Sequence, residues 1–293
     1  MSRKSKVRSN IKTKYGAIIV LFAALLSVLG AYLNGGREKI SPDADAEFHF
    51  IDVGQGDASM IITDESVIVI DCGPTYSADI LSEYIGKYTD KIDCLIFSHA
   101  HEDHMGGASR IIDDFIVDEI IMTGYASDSA FFNRALDSMV KKDVKVTEAD
   151  AGAEYTVGDV KLEIFSPIQD YGDMNNNSIV MRASVNSVSA LFTGDAEDKA
   201  ESDILESFGH KISSNILKTG HHGSSTSTSE KFLLDVLPDI AVISCGEGNS
   251  YGHPHKETTK KFDKYGITYY RTDIDGSIVI SCENGELKYK PAA

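Results

Sequence analysis

Ser98-His99-Ala100-His101-Glu102-Asp103-His104-Met105-Gly106-Gly107 is the stretch whose reading decides the fold. It follows Cys94-Leu95-Ile96-Phe97, an apolar run flanked by Asp93 and Ser98 that reads as a buried strand. Three imidazoles and a carboxylate therefore fall within six residues, where the chain leaves that strand. A helix beginning near Asp103 or His104 would let its amide ends and dipole favour bound anions. Nitrogen and oxygen donors packed this closely suit zinc, iron or manganese. The competing account is a polar surface loop that happens to be rich in histidine.

The rest of the chain argues against that account. Lys218-Thr219-Gly220-His221-His222-Gly223-Ser224 again places histidines at a predicted strand end, and Tyr251-Gly252-His253-Pro254-His255 follows another. Three strand ends, at 98, 218 and 244, thus lead into loops with paired histidines. Seven of the nine histidines lie there, leaving only His49 and His210 outside. Phe192-Thr193-Gly194-Asp195 adds a carboxylate directly after a strand, and a carboxylate can bind two cations ~3.5–4 Å apart. His221 and His222 are adjacent, so an extended loop would point them to opposite sides.

His99-x-His101-x-Asp103-His104 matches the HxHxDH signature, and from about Glu47 onward the chain resembles the metallo-β-lactamase superfamily. FIDVGQGDA at 50–58, IDCG at 70–73, NNNSIV, FTGD, LKTGHHGSSTSTS, GHPH and YRTDIDGSI at 270–278 narrow this. In that order they resemble the hydrolase-like domain of competence DNA-internalisation channel proteins. The resemblance implies an α+β fold, a four-layer αββα sandwich, and two divalent transition-metal ions, zinc first, with manganese or iron as alternatives. It implies a first site of His99, His101 and Asp195 completed by His221. The second would be Asp103, His104 and the bridging Asp195, completed by His253. Exchange of His221 with His222, or of the two late ligands, stays open. Asp103 would orient the nucleophile, and His222 or His255 would protonate the leaving group within hydrogen-bond reach. Asn177, Ser178 and Ser224 are candidate substrate contacts. True β-lactamases carry Cys where Asp195 stands, which points to a phosphoester substrate instead. Two departures matter. The superfamily usually has another His between this signature and the bridging Asp, and none occurs between 105 and 194. The channel proteins also carry a multi-span membrane domain, against one apolar segment here.

That segment is Gly16 to Leu33, eighteen residues without a charge, after a front bearing Arg3, Lys4, Lys6, Arg8, Lys12 and Lys14. It predicts a basic cytoplasmic segment at 1–15 and a transmembrane anchor or cleaved signal at 16–33. A linker at 34–46 and a hydrolase domain at 47–293 would follow, outside the cell membrane. Beyond residue 40 the chain holds 20 basic and 44 acidic residues, a net of −24, which disfavours polyanion binding. The expected function is a membrane-anchored or secreted dinuclear hydrolase of phosphoester bonds. Rivals are an extracellular DNA nuclease, an esterase for a choline-bearing surface polymer and a non-catalytic cell-surface binding module. The absence of Trp weakens an aromatic cage for choline, and no protein partner is inferred. Cys72, Cys94, Cys245 and Cys282 form no CxxC pair and read as small core residues.

Periodicity predicts strands at 48–53, 58–63, 67–70, 120–122, 144–147, 155–157, 160–165, 178–184, 188–192, 215–218, 240–244, 267–270 and 277–281. Helices are expected over 77–88, 129–142, 196–208, 229–237 and 255–265, with Gly158-Asp159 turning a hairpin.

Overall fold

A computed structural model of the protein describes Pro42 and residues 44–291. The expected cytoplasmic segment, the apolar segment and most of the linker lie outside the described residues. Among the described residues no helix is long and apolar enough to cross a membrane.

The first half runs β1 (Ala46–Phe50), β2 (Ser59–Ile62), β3 (Val67–Ile70), α1 (Ala78–Gly86), β4 (Lys91–Phe97), α2 (Glu102–Met105), α3 (Ala108–Asp114), β5 (Ile116–Met122), α4 (Ala130–Lys142) and β6 (Lys145–Glu148). The second runs β7 (Glu154–Val157), β8 (Val160–Ser166), β9 (Val180–Val185), β10 (Val188–Phe192), α5 (Asp198–Phe208), β11 (Ile216–Lys218), α6 (Glu230–Val236), β12 (Ile240–Ile243), α7 (Lys256–Tyr265), β13 (Thr268–Arg271) and α8 (Thr272–Asp275). β14 (Ile278–Glu283) and β15 (Glu286–Pro291) then return to the first sheet, whose order is β15-β14-β1-β2-β3-β4-β5-β6. The second sheet reads β13-β12-β11-β10-β9-β8-β7.

Strand alternation builds the layers, because successive side chains leave a strand on opposite faces. Phe48, Ile68, Cys94 and Ile96 point inward and meet Leu162, Met181, Phe192 and Val242 of the other sheet in one core. Their neighbours Met60, Val69, Leu95 and Phe97 point outward, under Leu81 of α1, Ile111 of α3 and Phe132 of α4. On the opposite outer face Leu191, Leu217 and Ala241 pack beneath Ile204 of α5, Phe232 of α6 and Phe262 of α7. Helix, sheet, sheet, helix is therefore the layer order, and the α+β two-sheet expectation holds.

Most expected elements lie within a few residues of the observed ones. α3, the four-residue α8 and β15 were not expected. α3 is a seven-residue piece directly after Gly106-Gly107, too short to display a helical stripe. β15 has only Leu287 and Tyr289 as large apolar residues and ends in Pro291, and the strand pairs on one side only, with β14. All four cysteines are buried free thiols, as a core reading requires.

Candidate metal centre

The donor residues converge because four strands end at one edge of the sandwich. β4 runs parallel to β3 and β5, while β10, β11 and β12 run parallel to one another. Their C-terminal ends release the loops bearing His99, Asp195, His221 and the residues after 244 together. Gly194 makes the approach possible: its φ is +49°, and a Cβ there would sit 2.8 Å from the Cβ of Ser98.

Asp195 stands at the middle with its two oxygens facing different partners. Oδ1 lies 3.1 Å from His104 Nε2 and 3.7 Å from His222 Nε2. Oδ2 lies 3.7 Å from His99 Nε2 and 3.6 Å from His221 Nε2. His101 Nδ1 approaches His99 Nε2 to 2.9 Å, and Asp103 Oδ2 is 3.2 Å from His222 Nε2. Two groups of donor atoms result: His99, His101 and Asp195, and His104, His222 and Asp195 with Asp57.

The far side of each ring is held by a polar partner, which fixes its orientation. His104 Nδ1 meets Asp71 Oδ2 at 2.9 Å, and His221 Nδ1 meets Glu197 Oε1 at 3.1 Å. His222 Nδ1 faces the Ser244 carbonyl at 3.1 Å and Asp57 Oδ1 at 3.3 Å. His99 Nδ1 faces the hydroxyls of Ser98 and Ser178, at 3.1 and 3.2 Å. Ser98 already donates to Asp71 at 2.6 Å, so toward His99 it can only accept. Four imidazoles are thus anchored at Nδ1 and present Nε2 to Asp195. Asp57 touches the Nδ1 side of His222 and is paired to Lys218 at 2.6 Å, so it stands behind the donors rather than among them.

His104 Nε2, His222 Nε2 and Asp195 Oδ1 are buried without a hydrogen-bond partner. Buried polar groups are seldom left so, and these three face one another. A cation fits this donor set. Without one, protons take its place: burial pulls His104 down, but Asp195 and Asp71 raise it well above the ordinary histidine range. His222 is similarly pushed up to about 10, by Asp195 and Asp57 against the burial penalty. Asp195 itself, though buried, is driven well below the usual carboxylate range by His104 and His222.

Several expectations change at this level. His221 and His222 do not diverge: both adopt left-handed backbone (φ 47° and 53°), which turns both rings toward Asp195. Such conformations are rare for residues other than Gly and are strained. His222, expected as a proton donor, is thereby brought to the place expected for His253. His253 belongs to neither donor group and instead lines the adjoining cavity. His255 is turned away from the donors: its Nδ1 accepts from Ser225 N at 2.9 Å, and its Nε2 lies 3.3 Å from the Tyr251 carbonyl. Asn177 bonds Tyr171, Asp170 and the Asp173 carbonyl within its own loop. Ser178 accepts from Asp195 N at 3.0 Å and so positions Asp195 and His99. Ser224 is buried against Thr226 and Thr258. Asp57, Asp71, Glu197 and Lys218 had no assigned role in the sequence, although all but Glu197 fall inside the quoted motifs.

The cavity beside the donors has a volume of about 330 Å³ and is lined by Gln55, His101, Glu102, Asp103, Asn175, Asp195, His221, His222, Tyr251 and His253. No lysine or arginine lines it.

Similar proteins place the fold in a family. The chain is 29% identical over 262 residues to ComE operon protein 3 of Bacillus subtilis, covering 82% of this chain and 34% of that one. It is 28% identical to competence protein ComA of Neisseria gonorrhoeae, covering 86% and 34%. The chain thus spans about a third of the length of these relatives. Among solved structures, Igni18, a metallo hydrolase from Ignicoccus hospitalis, superposes with a TM-score of 0.54 at 15% identity, covering 84% of this chain and all of that one. Residues 51–247 match the metallo-beta-lactamase superfamily, a span that takes in strands of both sheets and every donor around Asp195; the chain belongs to that superfamily.

Proposed function

We propose that the chain is a dinuclear metal-dependent hydrolase of phosphoester bonds. One observation carries this reading: three buried, unpartnered donor atoms of His104, His222 and Asp195 face one another, with a second donor group sharing Asp195. His99, His101, His221 and Asp195 Oδ2 would hold one cation; Asp103, His104, His222 and Asp195 Oδ1 would hold the other. Bound there, two divalent cations supply Lewis acidity toward a phosphoryl oxygen and a nucleophile at neutral pH. Asp195 in the shared position, where β-lactamases have Cys, supports an ester of phosphorus over a β-lactam. Asp103 lines the cavity beside His222 and would orient the attacking group by accepting a hydrogen bond from it. Burial, opposed by His222 and His104, leaves its carboxyl lowered to about 2, so it stays ionised across the working range. With no Lys or Arg in the cavity, the substrate's charge is met by the cations alone.

The test is a panel of phosphodiesters and phosphomonoesters, with zinc, manganese and iron supplied separately and metal content measured alongside. Metal-dependent turnover, lost with the metal in Asp195→Ala, is the expected result. A chain that binds two ions yet hydrolyses no ester in the panel overturns the reading. The competence relative favours a second reading, a nuclease on extracellular DNA; the net charge of −24 beyond residue 40 weighs against it. We place the domain outside the cell, tethered by residues 16–33, on the strength of the six cations before Gly16. Protease added to intact cells should then remove it, and protection until the membrane is opened would reverse the orientation.

A further inference from the structure

Beside the metal donors the cavity holds a second set of buried polar atoms without partners. Gln55 Nε2, Asn175 Oδ1 and His253 Nδ1 are all unpartnered, and all belong to residues lining it. The Gln55 amide is oriented, because its Oε1 accepts from Gly246 N at 3.1 Å and leaves Nε2 as the free donor. His253 is 9% exposed and stacks on Tyr251, with ring centroids 5.6 Å apart and planes at 19°. Tyr251 is 65% exposed, so a large aromatic face stays open at the rim of a cavity whose floor is polar and buried.

This platform is rigid before anything binds. Asn249 Oδ1 accepts from Tyr251 N at 3.2 Å and from His253 N at 3.0 Å. Its Nδ2 donates to the carbonyls of Gly246 and His253, at 2.9 and 2.6 Å. Little ordering cost is then left for binding. His253 in turn backs the Tyr251 ring and holds its plane. About 330 Å³ lies at the small end of ligand pockets, which suits one ring and a phosphoryl group rather than a run of polymer.

We propose that Tyr251 and Gln55 form a subsite for one planar heteroaromatic ring, so that the site selects phosphoesters of nucleotide type. The ring stacks on the face of Tyr251 that His253 leaves open, and its polar edge meets Gln55 Nε2. This rests on the phosphoester reading, and binding separates the two. The intact chain, loaded with metal, is titrated calorimetrically with uridine 5′-monophosphate and with ribose 5-phosphate, which share sugar and phosphate and differ only in the ring. The nucleotide should bind about tenfold tighter, the worth of stacking one base on an aromatic side chain. Tyr251→Ala should abolish that preference with metal content unchanged, Tyr251→Phe should keep it, and Gln55→Leu should reduce it. Equal affinities in the wild type, or an equal loss for both ligands in Tyr251→Ala, overturns the subsite. Ring preference without turnover of any ester would sink the hydrolase and leave the subsite standing; turnover without ring preference would do the reverse.

Discussion

Replacing Lys218 by Met tests how the site balances its charge. Lys218 ends β11 with its side chain 2% exposed, its Nζ donating to Asp57 Oδ2 at 2.6 Å and to the Thr219 carbonyl at 3.0 Å. Asp57 is equally enclosed and reaches on to His222. Attraction between unit charges at that distance is about 6 kcal/mol at an effective dielectric near 20. Desolvation of both ions takes back much of it, but removing Lys218 leaves the buried Asp57 carboxylate with only the His222 and His104 imidazoles beside it, a loss of up to roughly 3–5 kcal/mol. Lys218→Met should therefore lower unfolding free energy by up to about 3–5 kcal/mol. Lys218→Met with Asp57→Asn should recover most of the loss, because no unpaired charge remains. Urea unfolding followed by circular dichroism in excess chelator measures all three variants free of bound metal. A loss below about 1 kcal/mol, or a double variant as unstable as the two singles added together, would refute the pairing argument.

Four further outcomes follow from the same geometry. Asp195→Ala should lower occupancy of both metal positions, since its two oxygens face different donor groups; loss of a single ion by mass spectrometry would show that the carboxylate is not shared. His222→Ala and His221→Ala should each lose metal, whereas His255→Ala should retain both ions with near-normal rate; metal loss in the last would restore His255 to the site. Cephalosporin turnover should be absent, checked by absorbance, because Asp195 stands where those enzymes carry Cys. Burial raises the Glu201 carboxyl to about 7 against an ordinary 4.5, although the amides of Thr228 and Ser229 oppose it. The folded state then keeps a proton that the unfolded chain releases, so this contribution is full below about pH 4.5 and lost as pH climbs through 7, up to about 3 kcal/mol. Wild type should lose more stability than Glu201→Gln between pH 5 and 8, and equal losses would show that Glu201 does not titrate there.

The parts of this site that were legible in the sequence are those written locally. His99, His101, Asp103 and His104 sit within one loop, and the apolar run before them announces the strand that aims them. Asp195 was readable for the same reason, a carboxylate one glycine past a strand. What could not be read depends on backbone dihedrals or on distance along the chain. Nothing in His221-His222 signals two consecutive left-handed residues, and without that turn the rings diverge. Lys218 and Asp57 are 161 positions apart, so their pairing exists only once the two sheets have packed. Asn177, Ser178 and Ser224 were polar and well placed in order, yet the backbone around them consumes their hydrogen bonds.

The two donor groups draw on loops from both sheets, and so does the Lys218–Asp57 pair. Cations bound there would act as a clasp across one edge of the sandwich, with a largely apolar core joining the sheets farther in. Metal supply then becomes a mechanical variable: tighter binding to the folded chain stabilises it by mass action, and depletion slackens one edge first. Amides at the C-terminal ends of β4, β10 and β11 should exchange faster after chelation, while those at the opposite ends keep their protection. A hydrolase built this way would register metal scarcity as local opening, and so as exposure to proteolysis, before its core gives way.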